Sequence, residues 1–382
     1  MSFPVPASNL TLEQLLKTTP KFYWRHSDGT RGPAVGIDYE PVPVQLGNSL
    51  DDLLDCSDKS RILLIQLVTA DGKQDRVAAK IMKSPPNVVK LKNELNILRS
   101  LRHKHIVAVL GSFSHVSKRN KNKLEYGILV FPLAAQNLQD FLEEISEHNR
   151  IHQQQPDMTW SPHHAIHKLL PYFACLCKTV LFLHKQDRPI KHRDIKPANI
   201  LIDRVDNVIL ADFDISKAYN DDKEAITYGS LEGTVMYSSK YVWKDSAKDD
   251  PEESKRGLEW DVISLGFVFL EMATVLFGKT LDEMRKPMER RSAEGSERVI
   301  YSEARAEIRN WLKVLRETAT SIPHMVPDRF FHLSRAEPDY VRKFLKAIED
   351  MISAEQNDDL PLKHAWMTFG CLSEHCPSPQ SE

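Results

Sequence analysis

The sequence predicts an α+β protein in two parts, a small antiparallel β-rich lobe with one helix followed by a larger, mainly helical lobe. Three observations predict it. Residues 61–83 read as a hairpin, with RILLIQLV and RVAAKIMK as apolar strands about an Asp71-Gly72 turn. Residues 87–101 place Val88, Leu91, Leu95, Leu98 and Leu101 at helical spacing. Beyond Pro132 the pattern is helical over 137–145 and 165–183, and over 260–276 the chain is apolar almost all round, as in a buried helix.

Taken in order, residues 1–45 are an N-terminal extension. Thr11 and Gln14 form a capping-box pair that opens a short helix through Lys17, and Pro and Gly interrupt the pattern up to Val44. Residues 46–132 form the β-rich lobe, whose later strands are HIVAVLGSF and YGILVF, joined by a basic, solvated loop at Lys118–Lys123. The junction falls at Pro132–Asn137, and residues 133–368 form the helical lobe. Within it, HRDIKPANILI and VILADFD contain strand-sized apolar runs, and the charged stretch 282–300 is expected to be exposed. Residues 369–382 are a tail, polar and expected to be disordered after Cys371.

Composition narrows the function. Lys and Arg total 51 against 53 Asp and Glu, a balance that argues against coating nucleic acid or an anionic membrane by bulk charge. The chain has no apolar run of about 18 residues, so no membrane span is expected. Its first residues lack the basic-then-apolar order of a secretory signal. Five cysteines, an odd number, favour reduced thiols, and a cytoplasmic or nuclear location is expected. Cys371 and Cys376 could be half of a metal site, but no second pair of suitable spacing follows them.

Four separated pieces carry the chemistry. Val77-Ala78-Ala79-Lys80 sits on a strand and Glu94 on the helix after it. His192-Arg193-Asp194-Ile195-Lys196-Pro197-Ala198-Asn199 is a loop before a strand pair, and Asp212-Phe213-Asp214 begins 18 residues after Asp194. In this order and spacing they resemble the eukaryotic-type protein kinases, of the Ser/Thr branch, over residues 60–366. The resemblance implies the bilobal protein-kinase fold and transfer of the ATP γ-phosphate to a protein hydroxyl, with Mg2+ as cofactor. In that reading Lys80 places its ammonium on the nucleotide phosphates and Glu94 holds Lys80 by an ion pair. Asn199 and Asp212 supply oxygen ligands to Mg2+. Asp194 accepts or orients the proton of the attacking hydroxyl, and Lys196, the Ser/Thr form at its position, neutralises the transferring group. The adenine pocket would be Ala78, Phe131, Pro132, Ala134 and Leu201. Pro132 contributes its carbonyl, Ala134 its N–H, and Phe131 limits the pocket's depth. Asp261, a carboxylate in an apolar helix, would accept backbone N–H bonds from the HRD loop. Leu98, His192 and Phe213 would stack in a hydrophobic column. Protein substrate, ATP and an upstream kinase are the expected partners.

Three departures stand against that background. With Ile65 aligned to the family's strand valine, Asp58, Ser60 and Leu63 occupy the places of the phosphate-binding glycines, within an acidic stretch that includes Asp51, Asp52 and Asp55. The usual DFG reads Asp212-Phe213-Asp214, with Asp214 expected to take up the glycine's backbone freedom. Gly233-Thr234-Val235-Met236-Tyr237 matches the substrate-side segment, but Ser239-Lys240-Tyr241 replaces the APE that follows. The late Arg that pairs with that motif's Glu is missing too. Thr227, Ser230 and Thr234 lie in the activation segment, where a phosphate could pair with Arg193. The leading expectation is an active Ser/Thr kinase. The alternative is a pseudokinase acting as scaffold or regulator, and a small-molecule kinase of similar fold is the third reading.

Overall fold

The structure is a computed structural model. It describes residues 22–25, 31–34, 40–41, 53–56, 60–69, 74–82, 88–117, 123–155, 163–219, 235–238, 257–291, 297–321, 339–354, 360–373 and 376. The expected helix at Thr11–Lys17, the basic loop tip, and Thr227, Ser230 and Thr234 lie outside them. The chain divides into two compact units, one of residues 1–135 with 202–214, the other of residues 136–201 with 215–382.

The first unit is built on an eight-stranded sheet. Its strands are β1 (Phe22–Arg25), β2 (Arg31–Ala34), β3 (Glu40–Pro41), β4 (Leu53–Cys56), β5 (Ser60–Thr69), β6 (Gln74–Met82), β7 (Ala108–Ser117) and β8 (Lys123–Phe131). They run in the order β2-β1-β5-β6-β8-β7-β3, with β4 also paired to β5. The two strands of the expected hairpin, β5 and β6, are antiparallel neighbours, and Asp71-Gly72 lies outside the described residues. The N-terminal extension supplies strands on both sides of this sheet. In it β1 pairs antiparallel with β5, while β3 pairs parallel with β7.

Helix α1 (Val88–Ser100) lies over one face of the sheet. Strand alternation sends Ala78, Lys80 and Met82 to the same face. There Met82 packs with Leu95 of α1 and Ile128 of β8, flanked by Val109 and Val130. The contact between Met82 and Leu95 sets the helix against the strand that carries Lys80.

The second unit is mainly helical: α2 (Leu138–Gln154), α3 (His163–His184), α4 (Glu259–Leu276), α5 (Leu281–Arg285), α6 (Arg305–Ser321), α7 (Tyr340–Ile352) and α8 (Leu360–Phe369). Asn137 caps α2 by accepting from the Asp140 N–H at 2.9 Å. All eighteen residues of α4 are buried, as its all-round apolar sequence requires. Phe173 of α3 anchors the core, with ring centroids 4.9 Å from Phe269, 5.0 Å from Phe344 and 5.3 Å from Phe369. Gly266 is where α4 meets α7 most closely, since a Cβ there would lie 3.0 Å from the Ile352 backbone nitrogen.

The start of the C-terminal tail differs from expectation. Gly370–Leu372 forms a 3-10 turn continuing α8, and Leu372, Ser373 and Cys376 are buried. The Ser373 hydroxyl lies 3.6 Å from Cys175 Sγ on α3 and accepts the Cys376 N–H at 3.1 Å. Composition suggested a solvated tail, but Leu372 and Cys376 supply apolar surface that α3 covers.

Candidate active site

Lys80 lies on β6, between β5 and β8, opposite Ile62 on one side and Ile128 on the other. Its Nζ is 2.9 Å from Glu94 Oε1 and 2.5 Å from Asp212 Oδ1. Burial lowers the Lys80 pKa. The carboxylates of Glu94, Asp212 and Asp214 outweigh it and hold the ammonium well above the usual lysine range. Glu94 is shifted upward, first by burial and then by Asp212 and Asp214, against the pull of Lys80. Glu94 Oε2 is buried and has no hydrogen-bond partner among the described residues. One lysine thus balances two close carboxylates, and its third N–H remains for a ligand.

Asp212 reaches this triad through backbone bonding. β11 (Ile200–Asp203) and β12 (Val208–Leu210) form a hairpin whose last strand is tied to the segment before β7. The Leu210 N–H donates to the His105 carbonyl at 2.8 Å, the Val107 N–H donates to Leu210 at 3.0 Å, and His105 Nδ1 meets the Val208 carbonyl at 2.8 Å. Two residues beyond this strand, Asp212 takes a left-handed backbone with φ 66°. For a non-glycine residue that conformation costs about 1–3 kcal/mol. The sequence suggested that Asp214 would adopt this unusual backbone in place of the family's glycine. The structure puts it on Asp212, the residue whose carboxylate must turn toward Lys80.

In the second unit Asp194, Lys196 and Asn199 converge. The Lys196 ammonium donates to Asp194 Oδ2 at 2.8 Å. The Asn199 amide donates to the same oxygen at 3.0 Å and to the Asp194 carbonyl at 2.8 Å. With its nitrogen donating to Asp194, Asn199 keeps its amide oxygen as an acceptor. A 3-10 turn at Pro197–Asn199 brings Asn199 back toward Asp194.

Asp261 of α4 organises the loop that carries Asp194. Its carboxylate is fully buried. It accepts the His192 N–H at 2.7 Å and the Arg193 N–H at 2.9 Å, with His184 Nε2 at 3.3 Å. Burial opposes the charge, but the hydrogen bonds and the neighbouring histidines win and hold Asp261 below the usual carboxylate range. Arg193 is left-handed, φ 73°, and the carboxylate grips its N–H. Its guanidinium donates to the Ile215 carbonyl at 3.1 Å and lies 5.9 Å over the Trp260 ring, while its buried Nε has no hydrogen-bond partner among the described residues. The Ser216 hydroxyl donates to the His192 carbonyl at 3.0 Å.

The adenine-pocket residues divide by element. Ala78 is buried on β6, Phe131 ends β8 and is half-buried, and Ala134 opens β9 (Ala134–Asn137). The Phe131–Pro132 peptide is cis. Leu201 lies on β11, half-buried. Leu98, His192 and Phe213 are each buried. The glycine positions fall differently from one another. β4 and β5 are joined by Ser57, Asp58 and Lys59 alone, and Leu53 pairs with Leu63, so Ser60 and Leu63 stand inside a strand rather than in a loop.

Lys191 is a residue that sequence reasoning passed over. It lies on β10 (Ile190–Lys191) directly before the HRD loop and is fully buried. Its cross-strand partner is Lys217 of β13 (Lys217–Ala218). The two ammoniums lie 4.7 Å and 5.1 Å from the Tyr219 ring centroid. Burial pushes the Lys191 pKa down from 10.5 to about 8; Asp261 and Glu259 oppose the shift, whereas Arg193 and Lys217 add to it. The unfolded chain holds the proton of such a depressed basic group more tightly than the fold does, so stability rises with pH between about 8 and 10.5. Lys191→Met is therefore expected to raise stability at pH 7, by up to roughly 3 kcal/mol. It should also flatten that rise in urea denaturation run from pH 7 to pH 10. An unchanged slope in the variant would refute the assignment.

Residues 64–355 match the family described as "Protein kinase domain". The chain belongs to the protein kinase family. It is 29% identical over 185 residues to "L-type lectin-domain containing receptor kinase IX.2" of Arabidopsis thaliana, covering 48% of this chain and 23% of that protein. It is 31% identical over 180 residues to "Probable LRR receptor-like serine/threonine-protein kinase RPK1" of the same plant, 47% of this chain and 28% of that one. A third, "Cysteine-rich receptor-like protein kinase 7", also from Arabidopsis thaliana, is 27% identical over 208 residues, 53% and 27% of the two chains. The matches thus span about a quarter of these relatives' lengths. No helix among this kinase's described residues is long and apolar enough to cross a membrane.

Proposed function

We propose that this kinase is catalytically active and transfers the γ-phosphate of ATP to Ser or Thr hydroxyls of a protein substrate. The observation that carries the reading is the pair of assembled groups. One is Lys80 held between Glu94 and Asp212, and the other is Asp194 held by Lys196 and Asn199. A chain relieved of catalysis has no physical need to keep Asp212 in a costly backbone conformation aimed at Lys80.

The residues suit Mg2+, since Asp212 offers a carboxylate, 35% exposed, and Asn199 an amide oxygen. When bound, Mg2+ would neutralise phosphate charge. The remaining work belongs to the chain. Lys80 donates its free N–H to a phosphate oxygen, and Glu94 keeps the ammonium on station. Asp194 accepts the hydroxyl proton of the substrate, and Lys196 stabilises charge on the transferring group. Ser/Thr preference rests on Lys196 and on relatives whose names carry that specificity. Arg193, whose buried Nε has no partner among the described residues, supports activation by a phosphate on Thr227 or Ser230, added by an upstream kinase.

The pseudokinase reading has one specific observation in its favour. The sequence from β4 through β5 contains no glycine, with Asp55 inside β4 and Asp58 between the two strands in sequence, where backbone N–H groups would have to approach phosphate. The test is transfer from Mg-ATP to generic Ser/Thr and Tyr peptides, with Asp212→Ala as control. Transfer to the Ser/Thr peptide well above the control is expected. A signal no higher than the control, together with a thermal shift on adding ATP, would leave a nucleotide-binding pseudokinase. Transfer to the Tyr peptide alone would overturn the Ser/Thr assignment. In the active case the Thr227→Ala, Ser230→Ala variant should lose activity.

A further inference from the structure

Two buried thiols of the second unit, Cys175 on α3 and Cys376 in the tail, take no part in the chemistry above. They are far apart in sequence, yet their Sγ atoms lie within 4.8 Å of each other. The tail comes to α3 through specific contacts. Ser373 bridges the two cysteines, with its hydroxyl 3.6 Å from Cys175 Sγ and accepting the Cys376 N–H at 3.1 Å. The Trp366 indole N–H donates to the Cys376 carbonyl at 3.5 Å, and the Lys178 ammonium of α3 lies 5.6 Å from the Trp366 ring centroid. Cys376 is therefore held at both its backbone N–H and its carbonyl, with its sulfur brought to α3.

The neighbouring cysteines stand in different surroundings. Cys177 is two residues from Cys175, a spacing at which helical side chains do not face each other. Burial, and then Cys376, push the Cys177 thiol well up, which suppresses the thiolate that exchange requires. Cys371 is exposed, and its Sγ donates to the Thr368 carbonyl at 3.4 Å and meets the Tyr340 hydroxyl at 3.3 Å. A disulfide brings its sulfurs to about 2.05 Å. For Cys175 and Cys376 that approach takes a change of side-chain rotamer and a small shift of the tail, with α3 left in place.

We propose that Cys175 and Cys376 are a reversible thiol–disulfide pair whose oxidation fastens the tail to α3. The oxidant is a low-molecular-weight disulfide of the glutathione class. When the tail opens, the Cys376 thiolate attacks one sulfur of the oxidant, breaks its S–S bond and releases one small thiol. When the tail closes, the Cys175 thiolate attacks the Cys376 sulfur of the mixed disulfide and releases the second. The two cysteines are oxidised, the oxidant is reduced to two thiols, and the two cysteine protons pass to them. Burial shields both sulfurs in the closed tail, so opening limits the rate. The bond closes a long loop and removes the detached tail from the states open to the folded chain. The clamp does not depend on phosphate transfer.

The experiment treats the native full chain with oxidised glutathione or with dithiothreitol, alkylates it and digests it with trypsin without reduction. Cleavage after Lys168, Lys178 and Lys363 gives peptide 169–178, with Cys175 and Cys177, and peptide 364–382, with Cys371 and Cys376. The two should be found joined after oxidation and separate after dithiothreitol. Fragmentation of the joined peptides should assign the bond to Cys175 and Cys376 without any substitution. The link should persist in Cys177→Ala and Cys371→Ala and vanish in Cys175→Ala and Cys376→Ala. Amide hydrogen exchange at residues 372, 373 and 376 should slow by about 10-fold or more on oxidation, and should not change in Cys376→Ala. Glutathione adducts without a link, or a bond assigned to Cys177 or Cys371, overturn the pair. A Cys175–Cys376 link with unchanged exchange overturns the clamp.

Discussion

Asp194→Asn is expected to lower phosphoryl transfer by about 10²–10⁴-fold, the usual contribution of a positioned acid–base group. The substitution keeps the shape of the side chain. Its loss is confined to the negative charge and to the basicity of one oxygen. In the native loop that oxygen, Oδ2, takes donations from Lys196 and Asn199 at 2.8 Å and 3.0 Å, which fixes the carboxylate's direction before any substrate arrives. An asparagine can present its oxygen to the same two donors, so the loop should stay in place. KM for ATP should therefore hold while kcat falls. Single-turnover measurement of phosphate transfer separates the two. A variant within a few-fold of the unmodified enzyme would mean that Asp194 is not the group that handles the hydroxyl proton.

Asp261→Ala is expected to cost about 3–5 kcal/mol of stability, the range found when one partner of a buried charged network is removed. The reason lies in Arg193, whose left-handed backbone persists only because its N–H and that of His192 end on the Asp261 carboxylate. Without the acceptor two buried N–H groups and His184 lose their partner, and the strain on Arg193 has nothing to hold it. Catalysis should fall as well, because Asp194 follows Arg193 directly. The pH dependence has a definite sense. A carboxylate held low in the fold contributes stability above its unfolded pKa, near 3.9, and loses it as pH falls toward the lower folded value. Asp261→Asn, which keeps an acceptor but no charge, should be less damaging than alanine and should remove this part of the acid sensitivity. Urea denaturation of the three proteins from pH 3 to pH 7 measures both effects. Equal stability of Asp261→Ala and the parent at pH 7 would show that the carboxylate does not hold the loop.

The contrast between Asp261 and Glu271 shows how far the sequence could be read. Both are carboxylates set in the same apolar helix, and an unpaired charge there is costly. Asp261 was legible because a known loop motif, HRD, offered it backbone donors. Glu271 carried the same signal, but its donors come from positions 237, 285 and 301, which no local pattern connects. Lys191 was illegible for a related reason. Periodicity marks a strand residue as inward or outward, but it cannot say that a lysine beside the catalytic loop will be sealed under Tyr219.

The sequence by itself determined the order of the elements, from the β-rich lobe to the helical lobe. It also determined the identities of the chemical groups, from Lys80 to Asp212. Strand alternation, helical spacing and polar motifs act over a few residues, and a reader can follow them along the chain. The tertiary structure decided what depends on contacts between distant segments. It alone turned Asp212 rather than Asp214 into the left-handed backbone. It also drew strands of the N-terminal extension into the sheet and folded the start of the tail onto α3. Those outcomes are set by which buried donors, acceptors and apolar faces remain unsatisfied once the local elements have formed, and that balance exists only after distant parts of the chain have met.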